Sequence, residues 1–230
     1  MPVKVDRALI QSEGLLGGLN NNRDILTGKG NGQKRIDDLT LAHANVVDLN
    51  TKQITAQTFM ENMTTNKNAM LLAAKEAVAQ VDDAASSAFE GDKAKLKEFR
   101  IGDPKPRTEE GWETYLDSMV GPVQLNSDAL VANGMSQDDI ANFPVVYANL
   151  VAALAVQRNA TKVRNSATKT RDAAAAALEK KVTVTRKFAQ AALKGNKAAL
   201  EEIKPVKMGG RKSGRVNPPP VPEAATASKK

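Results

Sequence analysis

Gly91-Asp92-Lys93-Ala94-Lys95-Leu96-Lys97-Glu98 returns 104 residues later as Gly195-Asn196-Lys197-Ala198-Ala199-Leu200-Glu201-Glu202. Working outward from this octet, residues 13–101 align with 117–205 without a gap, at 23 identities in 89 pairs. Asp24, Leu26, Gly30, Gln33 and Ile36 match Asp128, Leu130, Gly134, Gln137 and Ile140. Ala44, Asn45 and Val47 match Ala148, Asn149 and Val151. An internal repeat fixes the architecture before any propensity does. The absence of gaps points to helices, because one inserted residue rotates everything beyond it by about 100° and breaks a packed face.

Each copy reads as the same series of elements. A short helix (Asn22–Leu26, then Asn126–Val131) leads to a glycine turn, Gly28 to Gly32 or Asn133-Gly134, where a positive φ suits glycine. A long segment without strong breakers follows, Gln33–Glu90 or Gln137–Lys194. Ile140, Phe143, Tyr147, Leu150 and Leu154 recur at helical steps, continued by Val163, Ala167, Ala174, Ala177, Leu178, Phe188 and Ala192. Ile36, Leu39, Val46, Val47, Phe59, Met63, Met70, Ala73, Val78 and Val81 form the matching stripe. Each long helix would run roughly 80 Å at about 1.5 Å per residue. The alternative is a bend at the polar middle, near Asn50-Thr51 or Thr64-Thr65-Asn66. Ser136 with Asp139 predicts a capped start, and Pro144 is a candidate kink. Gly91 and Gly195 are expected to end the long helices with a left-handed residue. Short helices, Asp92–Phe99 and Asn196–Ile203, come next. Another helix starts at Thr108 and carries Trp112, Tyr115, Leu116 and Met119.

The expected fold is therefore all-α: an internally duplicated helical bundle dominated by two long antiparallel helices. Its parts are a first helical repeat (13–101), a linker with a short helix (102–116), a second repeat (117–205) and a basic Gly/Pro-rich tail (206–230) expected to be disordered. The stretch Arg171-Asp172-Ala173-Ala174, followed by Phe188-Ala189-Gln190-Ala191-Ala192-Leu193-Lys194-Gly195, resembles a group of uncharacterised bacterial proteins with paired alanine-rich long helices. The likeness covers about residues 125–205. Leu200-Glu201-Glu202-Ile203 fits that group's closing motif loosely, and its final glycine is missing. The resemblance implies a helical bundle and brings no activity with it.

Composition narrows the function classes. The chain has 230 residues, no cysteine, one histidine and 3% aromatics. There is no disulfide framework and no thiolate metal site. No signal peptide is read at the N-terminus, and the longest apolar stretch, Phe143–Val156, is short of the ~20 residues of a membrane span. A cytoplasmic location is the default expectation, with no membrane span.

The net charge is +7, and residues 204–230 hold seven basic groups against one acidic. The span 157–187 has nine basic and two acidic residues, whereas its counterpart 53–83 has two basic and four acidic. A basic helix of this kind could pair with the acidic one, or track a phosphate backbone.

No constellation specifies a reaction or a cofactor. His43 matches Tyr147 in the other copy, which reads as a half-buried amphipathic position. Asp82-Asp83 matches Arg186-Lys187, so the acids do not form a shared site. Gly28-Lys29-Gly30-Asn31-Gly32 has neither the Ser/Thr after its lysine nor the preceding strand that a phosphate loop needs. The residues that could contact a partner are Arg158, Arg164, Arg171, Arg186 and Lys187 on the second long helix. Trp112 and Tyr115 are added as aromatic anchors or an end plug, and Arg211, Lys212 and Arg215 in the tail. The leading expectation is a non-enzymatic structural or assembly subunit that self-associates through its long helices. The alternative is a nucleic-acid-associated protein using the basic tail and the 157–187 face.

Overall fold

The computed structural model describes residues 3–207. They form eight helices and no strand: α1 (Val3–Asn21), α2 (Arg23–Thr27), α3 (Gly32–Ala88), α4 (Lys93–Glu98), α5 (Glu109–Leu125), α6 (Ser127–Ala132), α7 (Gln137–Ala192) and α8 (Lys197–Glu202). The tail from Met208 onward, with Arg211, Lys212 and Arg215, lies outside the described residues.

The long helices α3 and α7 hold 57 and 56 residues and are continuous. The polar middle of α3 does not bend it, and α7 runs through Pro144. Gln57, Gln53 and Asp38 of α3 meet Arg164, Arg171 and Lys181 of α7. These pairings climb one helix while descending the other, so the two pack antiparallel.

The helix bounds recur at the sequence offset. Shifted by 104, α4 falls on α8 residue for residue, and α3 and α7 end together at Ala88 and Ala192. Shifted likewise, α1 falls on α5, with both ending at the same place. Helix α1 was not expected from the sequence. Its buried Ala8, Ser12, Leu15 and Leu19 stand where α5 buries Trp112, Leu116, Met119 and Val123. None of these pairs is identical, and no residue from 3 to 12 matches its counterpart in 107–116, which is why the match in sequence fades upstream of residue 13.

The local signals behave as their chemistry dictates. Gly91 and Gly195 take φ of +85° and +100° at the ends of α3 and α7. Asp92 then caps α4 through Ala94 and Lys95, and Asn196 caps α8 through Ala199. Ser136 and Asp139 form a reciprocal capping box at the start of α7. At Gly32 a Cβ would stand 1.9 Å from the Leu26 carbonyl oxygen, so the turn from α2 into α3 closes only on glycine.

Buried side chains gather in two separate cores. One joins α1, α2, α8 and the N-terminal part of α3 to the C-terminal part of α7, around Leu15, Leu19, Leu39 and Leu178. The other joins α5, α6 and the N-terminal part of α7 to the C-terminal part of α3, around Phe99, Tyr115, Met119 and Phe143. Each core therefore draws on both halves of the sequence, so the repeats are not independent domains. Simple lengths explain the gap between them. At about 1.5 Å per residue α1 and α5 cover roughly 28 and 25 Å of an ~85 Å pair. That leaves on the order of 30 Å in the middle where α3 and α7 pack chiefly on each other, touched only at its edge by the first turn of α5.

Candidate functional site

The middle of the α3–α7 pair is the feature that packing alone does not complete. The residues turned toward the partner helix recur in sevens, the spacing that keeps a seam facing its partner. In α3 they run Val46, Gln53, Met60, Lys67 and Ala74; in α7, Leu150, Gln157, Arg164, Arg171 and Leu178. The ends of both rows are buried and apolar. The centre is polar. Arg164 Nε donates to Gln57 Oε1 at 2.8 Å, and Arg171 Nη1 donates to Gln53 Oε1 at 2.8 Å. Lys67 is 7% exposed and pairs with Glu109 of α5.

These contacts relocate the basic span. Arg164 and Arg171 lie half-buried against glutamine amides, not against the acids of 53–83. Arg171 is also held by Asp172 at 2.7 Å. Arg158 reaches Glu110 at 3.2 Å and Glu113 at 3.6 Å on α5. Arg186 donates to the Ile203 carbonyl and to Gln11, tying α7 to α1, and burial lowers its guanidinium pKa from the ordinary value. Lys187 is exposed. Trp112 and Tyr115 are 7% and 1% exposed and pack edge to face at 5.7 Å inside the second core.

Tyr115 anchors a polar knot at the edge of that core. Lys105 donates to its hydroxyl at 2.8 Å and pairs with Asp82. Burial alone would lower the Lys105 ammonium, but the hydrogen bonds it donates to Asp82 and Tyr115 outweigh that and hold its pKa above the usual value.

His43 is half-buried, with Nδ1 2.7 Å from Ser12 Oγ. Ser12 is fully buried and its hydroxyl points at the Leu9 carbonyl at 2.8 Å. The one hydroxyl proton is thereby used, so the ring donates to Oγ. A general base would have to accept from it instead.

The sequence reading placed Phe59 and Val163 on the core-facing stripes. The structure leaves them 43% and 47% exposed. The reason is the reach of α1 and α5, which stop short of the middle and also cover only one side. Their contacts fall on His43, Lys75, Arg158 and Arg186, all toward that side of the pair. On the opposite side Leu49 and Lys52 of α3 share an open groove of about 330 Å³ with Val163, Ser166, Ala167 and Thr170 of α7.

Helix α7 also contains an 18-residue window of mean hydropathy 1.5, enough by length and composition alone to cross a bilayer. Phe143, Leu150 and Leu154 of its apolar stretch are nevertheless buried in the second core. Among the described residues no group of three His, Cys, Asp or Glu side chains is placed to hold a metal ion. No protein-family model matches the chain, and comparison with curated proteins and with solved structures gives no match either.

Proposed function

We propose that the protein is a non-enzymatic structural or assembly subunit that associates with itself through its long helices. The observation that carries this reading is the exposed apolar middle of the α3–α7 pair, where Ile54, Phe59, Val156 and Val163 are all more than two-fifths accessible. Burial of apolar surface is worth about 25 cal/mol per Å², so a side chain of this size left in water is a reserve of association energy. The recurrence of helix bounds at 104 residues supports an origin by internal duplication. The sevenfold seam supports reading the pair as an antiparallel coiled coil, with its polar centre fixing register.

A nucleic-acid-associated role for the basic tail and the 157–187 face is the second reading. It rests on the surface lysines of that face, because Arg164 and Arg171 are already engaged within the pair. Molecular mass in solution by light scattering, with and without nuclease, separates the two. The proposed role expects a homogeneous multiple of the chain mass that nuclease leaves unchanged. A monomer, or a mass that collapses with nuclease, contradicts it.

A further inference from the structure

We infer that the side of the α3–α7 pair turned away from α1 and α5 is the docking surface for a second copy of this chain, turned end for end. The inference rests on the self-association just proposed and names the surface, the partner and the orientation.

The surface is continuous and nearly free of charge at its centre. Counted in sevens from Phe59, α3 presents Lys52, Asn66 and Ala73; in the row of Met63, Leu49 and Met70 are half-buried and Ala56 is buried in the floor. Counted in sevens from Val163, α7 presents Val156, Thr170 and Ala177; in the row of Ala167, Ala153 and Ala160 are buried as the floor between the helices and Ala174 is half-buried. The shared groove of Leu49 and Lys52 with Val163 and Ala167 shows that these rows lie side by side. Lys52 is the one charged residue among them, and Asp48 neutralises it at 2.8 Å. The alanine rows allow a second pair of helices to approach closely, and Phe59, Met63 and Val163 supply the bulk between them.

Two helices side by side make a face about 20 Å wide. Its apolar middle, ~30 Å long, offers on the order of 600 Å² per copy, and the whole ~80 Å face roughly 1,600 Å². A stable dimer needs about 800 Å² from each partner, so the middle and part of each end suffice.

Charge fixes the orientation. At one end the face carries Lys34 and Arg35 of α3 beside Lys180, Lys181 and Lys187 of α7, with Asp38 the nearest acid. At the other end it carries Glu76 and Asp83 of α3 beside Asp138 and Asp139 of α7. Among the described residues Lys34, Lys180, Lys187, Glu76, Asp83 and Asp138 are exposed and make no ion pair within the chain. Arg35 and Asp83 are each 24 residues from Phe59, and Lys187 and Asp139 are each 24 residues from Val163. A copy reversed end for end, Phe59 over Phe59 and Val163 over Val163, therefore sets Arg35 over Asp83 and Lys187 over Asp139 on both sides of a two-fold axis. The parallel arrangement would set basic end on basic end. A bilayer is a poorer occupant. The flanking rows at the middle of the face are Thr55, Asn62 and Ala69, then Asn159, Ser166 and Ala173, without the Lys/Arg flank of a membrane-surface helix.

The test uses the full chain, nuclease-treated, in three linked measurements. Light scattering is expected to give a dimer or a multiple of one. Val163→Cys, the only thiol in the protein, is expected to form a disulfide-linked dimer under mild oxidation, whereas Asn165→Cys on the opposite side does not. Lys34→Glu or Asp83→Lys alone is expected to weaken dimerisation about tenfold at low salt, since each change occurs twice in a symmetric pair, and the two together to restore it. Both substitutions run with the helix dipole of α3, so folding is not at risk. A monomer at every concentration overturns the surface and the self-association together. So does a monomer that instead binds anionic phosphatidylserine vesicles or duplex DNA. An oligomer that gives no Val163 disulfide and ignores the charge exchange overturns the surface alone and leaves self-association standing.

Discussion

Phe143, near one end of the long pair, is 1% exposed; Phe59, in the middle of the partner helix, is 43% exposed. Both sit on unbroken helices of nearly equal length. Their surroundings differ because α1, α2 and α8 close one end and α5 and α6 close the other, and only the N-terminal acids of α5 touch the edge of the middle, at Lys67 and Arg158. Helix continuity there comes from cooperativity with the anchored ends and from a seam of polar contacts, not from a core. The fold thus separates two tasks. The ends hold the molecule together, and the middle keeps large apolar side chains exposed.

The largest effect should come from cutting into an end. Phe143→Ala removes a buried ring from the second core and is expected to cost about 3–5 kcal/mol in chemical unfolding. Phe59→Ala should cost less than about 1 kcal/mol in dilute solution, because most of what it loses is already solvated. Equal losses at the two sites would erase the distinction between end and middle.

Gly91→Ala and Gly195→Ala sharpen the comparison between the two ends. A Cβ meets nothing within 4 Å at either position, so the only penalty is the positive φ. About 1 kcal/mol is expected at each, measured by thermal or denaturant unfolding. A marked inequality would mean that the two cores tolerate adjustment differently.

The smallest expected effects are electrostatic. Hydrogen bonds from the Ser136 hydroxyl and backbone hold the Asp139 carboxyl below its usual pKa. Its contribution is present above about pH 4, the ordinary carboxyl range, and fades as pH falls through the depressed value. Asp139→Ala should lower stability slightly near neutrality and flatten the acid limb of the profile, so that the two proteins converge as pH falls. Lys105 has the opposite sign. Its raised pKa stabilises the fold up to its ordinary range near about pH 10.4 and is lost as pH climbs beyond it. Lys105→Met is expected to cost under about 1 kcal/mol at neutral pH, since the pair is partly solvated. A large loss at pH 7 would point to a structural role for the knot beyond its charge.

Much of the ends was legible in the sequence. Gly91, Gly195, Asp92, Asn196 and the Ser136–Asp139 pair carry their signals in one or two residues. The gapless match to 104 residues marked where α3 and α7 stop. Helix α1 escaped because Ala8, Ser12 and Leu19 keep a pattern of burial without keeping identities to α5. The middle was legible as helix but not as surface. Phe59, Met63 and Val163 continue the apolar stripe, and a stripe records which side is apolar without recording what covers it. Only the lengths of α1 and α5 and the side they occupy reveal that nothing within the described chain does. The arginines misled in the opposite direction. Arg164 and Arg171 read as surface charge, yet the glutamines that receive them are inconspicuous in a sequence.

Native-state hydrogen exchange along α3 and α7, followed as the protein is diluted, tests the central claim most directly. Amides near Val78–Ala85 and Leu178–Ala189 should stay protected at every concentration, because the end cores shield them. Amides from Thr51 to Asn68 and from Val156 to Asp172 should be protected when the protein is concentrated and lose that protection on dilution, as the second copy leaves. Middle amides as slow as those of the ends and indifferent to concentration would contradict a bare middle completed by another molecule.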